Sequence, residues 1–318
     1  MAVTLAASIK SAVDDATRRL ALGRTDTPRL DAEVLMAYVL GWPRPRLLAH
    51  WDEGLPEGEL SRYSQLVDRR ATGEPIAYIR GFKEFLGLQF AVDPRVLIPR
   101  PETELLVTTA MEWLDARRPS SVYRIPSGGS KGAQPPLRGL GCPQESFSSS
   151  GGVGPSCVVD VGTGSGAIAI SLLLAQPSAR VIATDVSADA LEVARENARR
   201  HGVTPEFRQG SLLQPIDEPI DLVVANLPYL SQLEYESLLD TSIGYEPCLA
   251  LTDGADGLRL FDQLFGQVAE RDVACILLEI GSGQPATLQE LAHVRLPRYR
   301  ATVFPDYAGL PRVLQLER

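Results

Sequence analysis

The sequence predicts an α/β protein in which a small helical bundle precedes a doubly wound sheet. Three observations support this fold class. Helix-period apolar patterns fill about the first 75 residues, whereas short apolar runs alternate with helical patterns from Cys157 onward. The length of 318 residues is typical of about two domains. Because helices cover a doubly wound sheet on both faces, its strands are expected to be apolar runs.

The N-terminal part shows clear helical punctuation. Its best-defined helix follows Thr27, which is suited to cap it, starts at Pro28 and ends at Gly41, a residue suited to a left-handed exit. Similar periodicity covers residues 5–22 and 57–72. These patterns predict a bundle of short helices.

The apolar period changes after the bundle. Apolar residues alternate around Gly87, which predicts a β-hairpin over residues 82–92. Pro101, followed by two glutamates, predicts the start of a helix that runs to about Ala116. Residues 119–155 are rich in Ser, Gly and Pro, which predicts a flexible insertion.

The remaining sequence alternates between strands and helices. A strand is predicted at 158–161, a helix at Ala167–Ala175 and a second strand at Arg180–Asp185. Ser187 is suited to cap the next helix, and Gly202 to end it. Further strands are predicted at 205–210, 221–225, 273–280, 299–304 and 312–317. We therefore expect a helical domain over residues 1–80, a linking hairpin over 81–100 and an α/β domain over 101–318.

A glycine-rich loop joins the first predicted strand of the α/β part to its helix. The loop consists of Gly162, Thr163, Gly164, Ser165 and Gly166. Such a loop brings backbone amides close to a nucleotide-type cofactor, and Asp185, about 20 residues further on, is placed to bind ribose hydroxyls. The glycine spacing also satisfies the dinucleotide fingerprint if Ala167 takes the third position. Asp160 favours a methyl donor over a dinucleotide, because its carboxylate suits a cationic amino group and would repel a pyrophosphate. The alternative role for Asp160 is to brace the turn through hydrogen bonds to backbone amides.

A second candidate site follows the predicted strand at 221–225. The strand must end near Asn226, because Pro228 cannot donate a ladder hydrogen bond. An amide at the carboxyl end of a strand, followed by the exposed Leu227 carbonyl and the ring of Tyr229, suits a planar substrate such as an amide or a nucleobase. Asn-Xaa-Pro is also ordinary turn chemistry, so a simple turn remains the alternative.

Composition and charge argue against several classes of function. The formal net charge is −9, whereas a nucleic-acid binder normally shows a basic face, so nucleic acid is not the expected substrate. No apolar run approaches the roughly 20 residues that span a bilayer, and no basic region precedes the apolar N-terminus. We therefore expect a cytoplasmic protein that does not bind membranes. Scattered cysteines and histidines give little support to a disulfide or metal site.

The chain resembles the release-factor glutamine methyltransferases of the HemK/PrmC family. The resemblance in the N-terminal part rests on Arg29-Leu-Asp31-Ala-Glu33, Arg69-Arg70-x-x-Gly73-Glu74-Pro75-x-x-Tyr78-x-x-Gly81 and Leu97-Ile98-Pro99-Arg100-Pro101-Glu102-Thr103-Glu104. In the C-terminal part it rests on Asp160-x-Gly162-Thr163-Gly164-Ser165-Gly166, Asn226-x-Pro228-Tyr229, Tyr245-Glu246-Pro247-x-x-Ala250-Leu251 and Asp306-Tyr307-Ala308-Gly309-x-x-Arg312. It covers nearly all of the chain except residues 119–155.

The resemblance implies a Rossmann-like, class I domain that transfers a methyl group from S-adenosylmethionine. The implied acceptor is the side-chain nitrogen N5 of the glutamine in the Gly-Gly-Gln motif of class 1 peptide chain release factors. The helical domain is implied to help hold that factor. The donor site implied by resemblance comprises Asp160, Gly162, Thr163, Gly164, Ser165, Gly166, Asp185, Ser211, Leu212 and Asn226, and the catalytic site Asn226, Leu227, Pro228 and Tyr229.

Three departures from the family pattern leave alternatives open. Leu227 replaces the usual proline, and Asn-Leu-Pro-Tyr also resembles the motif of ribosomal-RNA adenine dimethyltransferases, so N6-adenine methylation of RNA or DNA is the rival function. Ser211 stands where an acidic residue is common, and Leu310 where a charged residue is usual. A binding module that has lost its activity is the third hypothesis.

A mechanism follows as a hypothesis. An amide nitrogen is a poor nucleophile, so it must be held about 3–3.5 Å from the methyl group that it attacks. We expect the Asn226 side-chain oxygen and the Leu227 carbonyl each to accept one N–H of the glutamine amide, and Tyr229 to pack against the amide plane. Leu227 contributes only a carbonyl, so the lost proline need not abolish the chemistry.

Overall fold

The computed structural model describes residues 7–23, 25–117, 156–239 and 241–318, and the insertion predicted at 119–155 lies outside these ranges. Among the described residues, the N-terminal helices are α1 (Ile9–Ala21), α2 (Pro28–Leu40), α3 (Arg44–Ala49), α4 (Glu57–Ala71) and α5 (Ile76–Arg80). They confirm the three predicted helices. The sequence did not indicate α3 and α5, because six and five residues are too few for an apolar period to show.

One of the two predicted ends of α2 is confirmed. Gly41 leaves the helix in the left-handed conformation at φ +64°, as predicted. The prediction that Thr27 caps the helix is wrong. Its side chain makes no capping bond, and the hydroxyl is turned toward Asp31 Oδ1, to which it donates at 2.9 Å. A capping hydroxyl would have to lie where its oxygen accepts from an amide of the first turn.

A buried ion pair joins α2 to α4. Asp31 Oδ2 accepts from Arg70 Nε at 2.7 Å, and both side chains are nearly inaccessible. The same guanidinium donates to the carbonyls of Gly73 and Glu74 at 3.2 Å. Because buried polar groups must be hydrogen-bonded, this pair holds the loop after α4 in place. The apolar core of the bundle includes Val13, Leu20, Leu35, Met36, Leu47 and Val67.

The predicted hairpin is confirmed as β1 (Phe82–Phe85) and β2 (Leu88–Ala91). Its two turn residues, Leu86 and Gly87, have φ of +48° and +74°, as a tight hairpin turn requires. The Leu86 amide donates to Glu104 Oε1 at 2.9 Å. Asn197 bonds both the amide and the carbonyl of Ala91, at 2.7 and 3.0 Å. These contacts fix the hairpin against the α/β part.

A seven-stranded sheet forms the centre of the α/β part. The strands are β3 (Cys157–Val161), β4 (Arg180–Asp185), β5 (Glu206–Gln209), β6 (Leu222–Ala225), β7 (Cys275–Glu279), β8 (Arg300–Pro305) and β9 (Pro311–Glu317). Their order is β5-β4-β3-β6-β7-β9-β8, in which β9 is antiparallel to both neighbours and the other pairs are parallel. All predicted strands are present. The chain reverses its direction across the sheet at β3 and β6, so their carboxyl ends border the expected ligand crevice.

Helices cover both faces of the sheet. They are α6 (Thr103–Ala116), α7 (Ala167–Ala175), α8 (Ala188–His201), α10 (Arg259–Ala269) and α11 (Pro285–Arg295), whereas the short helix α9 (Gln232–Leu238) has no buried residue. One buried cluster lies between the sheet and α10 and α11, and a second between the sheet and α6 and α7. This two-sided core confirms the predicted α/β class. The division of the chain into domains at residues 80 and 100 stays a prediction.

Two local features of the helices complete the fold. The start predicted for α6 at Pro101 is two residues early: Pro101 and Glu102 form a turn, and the helix begins at Thr103. The predicted cap of α8 is confirmed, since the Ser187 hydroxyl accepts from the Ala190 amide at 3.1 Å. Within the described ranges, no helix is long and apolar enough to cross a membrane.

Candidate active site

A cleft of about 430 Å³ opens at the carboxyl ends of β3 and β6. The predicted site residues that line it are Gly162, Gly164, Asp185, Ser211, Leu212, Asn226, Leu227 and Pro228. The cleft therefore joins the glycine loop to the Asn-Leu-Pro segment, which lie apart in the sequence. The predicted residues that lie behind or beside its wall are Asp160, Thr163, Ser165, Gly166 and Tyr229.

The loop between β3 and α7 is held by hydrogen bonds to the end of β4. The amides of Gly162 and Thr163 both donate to the Thr184 carbonyl at 2.9 Å. The Gly164 amide donates to Asp185 Oδ2, also at 2.9 Å. Gly162, Gly164 and Gly166 all have positive φ, which side chains disfavour. The loop is thus fixed in shape before any ligand binds.

The second and third glycines are needed for different reasons. A Cβ on Gly166 would lie 2.9 Å from Ile170 Cδ1 and 3.2 Å from Ala194 Cβ, so this glycine lets α7 approach α8. A Cβ on Gly164 would meet no atom within 4 Å. Because Gly164 lines the cleft, its missing side chain leaves room there for a ligand to contact the backbone.

Asp160 is fully buried beneath the loop. Its Oδ2 accepts from the Thr163 hydroxyl at 2.6 Å and from the Ala169 amide at 3.1 Å, so it does brace the turn. Its Oδ1 has no hydrogen-bond partner among the described residues. Burial raises the pKa of this carboxyl to about 7, against the opposing effect of its two hydrogen bonds. An unpartnered buried oxygen fits the amino group of an amino-acid ligand.

Asp185 ends β4 at the wall of the cleft. Its two oxygens accept from the amides of Gly164 and Ser187, each at 2.9 Å. Burial raises the pKa of the Asp185 carboxyl, and these amide bonds oppose that effect. Carboxylate oxygens accept more than one hydrogen bond, so Asp185 retains the capacity to bind the hydroxyls of a ribose.

Leu212 adopts an uncommon backbone conformation at the edge of the cleft. Its φ is +53°, which side-chain-bearing residues rarely adopt, and the Thr184 hydroxyl donates to its carbonyl at 3.0 Å. Strain of this kind persists only where surrounding contacts enforce it, and it is concentrated at functional sites. Ser211, just before it, lines the cleft with Leu212, as the prediction for these two residues requires.

Asn226 follows β6 and faces the loop. Its Nδ2 donates to Thr103 Oγ1 at 3.2 Å. The Asn226 amide thus takes the one of its two orientations in which Nδ2 has a hydrogen-bond partner. The Thr103 hydroxyl in turn donates to Glu279 Oε2 at 2.6 Å. No hydrogen bond to Asn226 Oδ1 or to the Leu227 carbonyl is formed by any described residue. Two acceptors of the kind predicted are therefore available together at the cleft.

The neighbours of Asn226 are held by packing. Leu227 is 2% exposed, and its Cδ2 lies 3.8 Å from the position that a Cβ on Gly162 would occupy. Tyr229 is fixed through its carbonyl, which accepts from Gln284 Nε2 at 3.0 Å. Burial and the nearby Glu279 charge raise the pKa of the Tyr229 hydroxyl. The predicted contact of its ring with a substrate amide stays a prediction.

Two buried acidic residues at the site were not predicted as functional. Glu279 ends β7, and burial raises its pKa to about 7, although the Thr103 hydroxyl and Arg312 oppose that effect. Glu246 accepts from the Ile98 amide at 3.0 Å and from Arg100 at 2.5 Å. This ion pair gives Arg100 a buried acidic partner. The available signal for Glu279 was an acidic residue at the carboxyl end of an apolar strand.

A glycine loop after β3, an acidic residue at the end of β4 and a polar motif at the end of β6 define a class I S-adenosylmethionine-dependent methyltransferase. The residues of the cleft and of its wall fit that donor. Asp160, behind the wall, has an unpartnered oxygen that would suit its amino group, Asp185 has a carboxylate that would suit its ribose, and Gly164 has an open backbone.

Comparison with known proteins agrees with this class and narrows it. Residues 11–81 match the family model described as PrmC N-terminal domain, and residues 154–245 match the Methyltransferase small domain. A release factor glutamine methyltransferase from Moorella thermoacetica is 38% identical over 96% of both chains. One from Bacillus subtilis is 35% identical over 89% of both. The chain belongs to the release factor glutamine methyltransferase family.

Solved structures share the fold at low sequence identity. The hMettl16 catalytic domain in complex with MAT2A 3'UTR hairpin 1 has a TM-score of 0.51 and 13% identity. The match covers 89% of this chain and 90% of that chain. At this identity the likeness supports the methyltransferase fold alone.

Proposed function

We propose that the protein transfers the methyl group of S-adenosylmethionine to the side-chain nitrogen N5 of the glutamine in the Gly-Gly-Gln motif of class 1 peptide chain release factors. The observation that carries the proposal is the polarity of Asn226. Its Nδ2 is bonded to Thr103, which leaves Oδ1 as an acceptor beside the Leu227 carbonyl. A primary amide carries two N–H groups, and two acceptors match them. The family of the chain supports the same substrate class.

The two acceptors address the weak nucleophilicity of an amide nitrogen. When bound, S-adenosylmethionine supplies an electrophilic methyl group on a sulfonium. Asn226 Oδ1 and the Leu227 carbonyl hold the two N–H groups, so the nitrogen lone pair is directed toward that methyl. As the nitrogen–methyl bond forms and the sulfonium–methyl bond breaks, the same acceptors stabilise the positive charge that develops on the nitrogen, in a site where neither has to reorient. One N–H proton then leaves to water, which gives the neutral methylated amide.

The helical N-terminal part is proposed to hold the body of the release factor. It is connected to the site through Tyr245, whose hydroxyl lies 3.0 Å from both the carbonyl and the hydroxyl of Thr72. Tyr245 precedes Glu246, which pairs with Arg100. A substrate bound to the helices would therefore contact a surface that is hydrogen-bonded to the α/β part. The net charge of −9 supports a protein partner over a nucleic acid.

The substrate is tested by incubating the purified protein with labelled S-adenosylmethionine and, separately, a release factor or ribosomal RNA. Label is expected on the release factor and is expected to disappear when the Gly-Gly-Gln glutamine is replaced. Label on RNA alone would refute the proposal in favour of N6-adenine methylation, since an exocyclic amine also presents two N–H groups.

The role of Asn226 is tested by Asn226→Ala. Removing one preorganised hydrogen-bonding group from a reacting centre typically lowers kcat by about 10²- to 10³-fold. We expect that loss with release factor as substrate, measured by initial rates. Donor affinity, measured by calorimetry with S-adenosylhomocysteine, should change by about threefold or less, because Asp160 and Asp185 remain. Unchanged turnover would contradict the assigned role.

A further inference from the structure

Three side chains form a buried hydrogen-bonded chain behind the cleft, here called the Asn226 relay. It consists of Asn226 after β6, Thr103 at the start of α6 and Glu279 at the end of β7. The links measure 3.2 Å from Asn226 Nδ2 to Thr103 Oγ1 and 2.6 Å from Thr103 Oγ1 to Glu279 Oε2. Thr103 and Glu279 are 4% and 1% exposed, so water does not compete for these bonds.

The chemistry of Thr103 sets the direction of every bond in the relay. A hydroxyl has one proton to donate, and above the Glu279 pKa, which burial raises to about 7, the Glu279 carboxylate is ionised and only accepts. The short 2.6 Å link is typical of a hydroxyl that donates to a carboxylate. With its proton committed to Glu279, Thr103 Oγ1 can only accept from Asn226. The Asn226 amide must therefore present Nδ2 to Thr103, which turns Oδ1 away from it.

Without Thr103, the two ends of the Asn226 amide would differ little in their surroundings. An amide differs between its two orientations only in the exchange of oxygen and nitrogen. Rotation by half a turn would present Nδ2 to the substrate, so that two N–H donors would meet. The reversed orientation would instead offer one donor to a carboxylate, although the Leu227 carbonyl would still favour an amide. The relay thus influences which group the site binds as methyl acceptor, an amide or a carboxylate.

We propose that Thr103 and Glu279 are positioning residues that fix the polarity of the Asn226 amide, so that the site selects a side-chain amide over a carboxylate of the same shape. This inference rests on the proposed function. Neither residue lines the cleft, and both act on the substrate through Asn226. The relay therefore discriminates glutamine from glutamate, its nearest isostere.

The test compares Thr103→Val with Thr103→Ser and with a matched control, Thr109→Val. Thr109 lies on the same helix and is also buried, but its hydroxyl donates to the Leu105 carbonyl at 2.8 Å and does not reach Asn226. We expect Thr103→Val to lower kcat about 10- to 100-fold through misplacement of the acceptor oxygen. Thr103→Ser should recover most of the rate, and Thr109→Val should behave as the unmodified protein.

A binding measurement supplies a readout that a loss of packing would not change. Affinity is measured with S-adenosylhomocysteine present, for a release factor with glutamine or glutamate in its Gly-Gly-Gln motif. The unmodified protein should prefer glutamine by about tenfold or more, and Thr103→Val should reduce that preference by about threefold or more, since the Leu227 carbonyl still favours an amide. Thermal unfolding of each variant checks that the fold is retained.

The double variant Thr103→Val/Asn226→Ala separates a relay from an independent effect. If Thr103 acts through Asn226, Thr103→Val should cause no further loss of rate once Asn226 is replaced. An equal loss in both backgrounds, or an unchanged glutamine preference in Thr103→Val, would overturn the proposal. If the unmodified protein neither labels nor binds a release factor, the proposed function itself fails, and the relay's role falls with it.

Discussion

Binding of the methyl donor is expected to release a proton from Asp160. The carboxyl is fully buried, Oδ1 has no partner among the described residues, and burial raises its pKa to about 7. A cationic amino group placed against Oδ1 favours the charged form of a carboxyl and lowers its pKa well below pH 6.5. The carboxyl is therefore mostly protonated in the free protein and ionised in the complex.

The size of the effect follows from the pKa. At pH 6.5 a group with a pKa of about 7 carries about 0.8 of a proton, and nearly all of it leaves on binding. Between pH 6 and pH 7 the ionised fraction of free Asp160 rises about fivefold, so donor affinity should rise by the same factor. The amino group of the ligand contributes little here, because α-amino groups titrate at about 7.7–8.0.

The assay is calorimetric titration with S-adenosylhomocysteine at pH 6.5 in buffers of different ionisation enthalpy. The slope of observed enthalpy against buffer enthalpy gives the number of protons released. We expect about 0.7 for the unmodified protein and close to zero for Asp160→Asn, whose affinity should also lose its dependence on pH. If both proteins release the same number of protons, Asp160 only braces the loop, and the assignment of the amino group to it is refuted.

Two further predictions concern stability and the glycine loop. Glu246→Ala should lower the free energy of unfolding by about 2–3 kcal/mol, because it leaves the buried Ile98 amide without an acceptor. The control Glu236→Ala, on the exposed face of α9, should change the free energy of unfolding by less than about 0.5 kcal/mol. Urea unfolding measures both values. Gly166→Ala should destabilise by about 2–4 kcal/mol, through the strain of its positive φ and its clash with α7 and α8. Gly164→Ala carries the backbone strain alone, about 1–2 kcal/mol, and should in addition weaken S-adenosylhomocysteine binding. Equal losses of stability and affinity in the two glycine variants would contradict these separate roles.

The sequence predicted most of the fold because the relevant signals are local. The apolar runs of the strands and the glycine loop each lie within a few consecutive residues. Gly41 and Gly202 marked helix ends because each must adopt a positive φ. Thr27 was misjudged because its competing partner, Asp31, lies in the next turn of the same helix. Capping preferences rank residue types and do not register such a local competitor.

The interactions between distant segments were not predictable in the same way. Thr103 lies 123 residues from Asn226 and 176 from Glu279, so no window of sequence contains the relay. The sequence placed Asn226 at the end of a strand, which is correct, but gave no reason for the orientation of its amide. That orientation depends on one proton of Thr103, and only the tertiary structure identifies the group that takes it.

The position of β9 has a consequence for biosynthesis. β9 lies between β7 and β8 although it follows both along the chain. A nascent chain that has completed β8 therefore carries an open strand edge along β7, the kind of edge that pairs with other chains. Closure comes with β9, whose Glu317 also accepts from Trp113 Nε1 at 3.1 Å and from Arg117 at 2.9 Å. A protein chain that ends before β9 is therefore expected to aggregate, rather than to fold into an enzyme of lower activity.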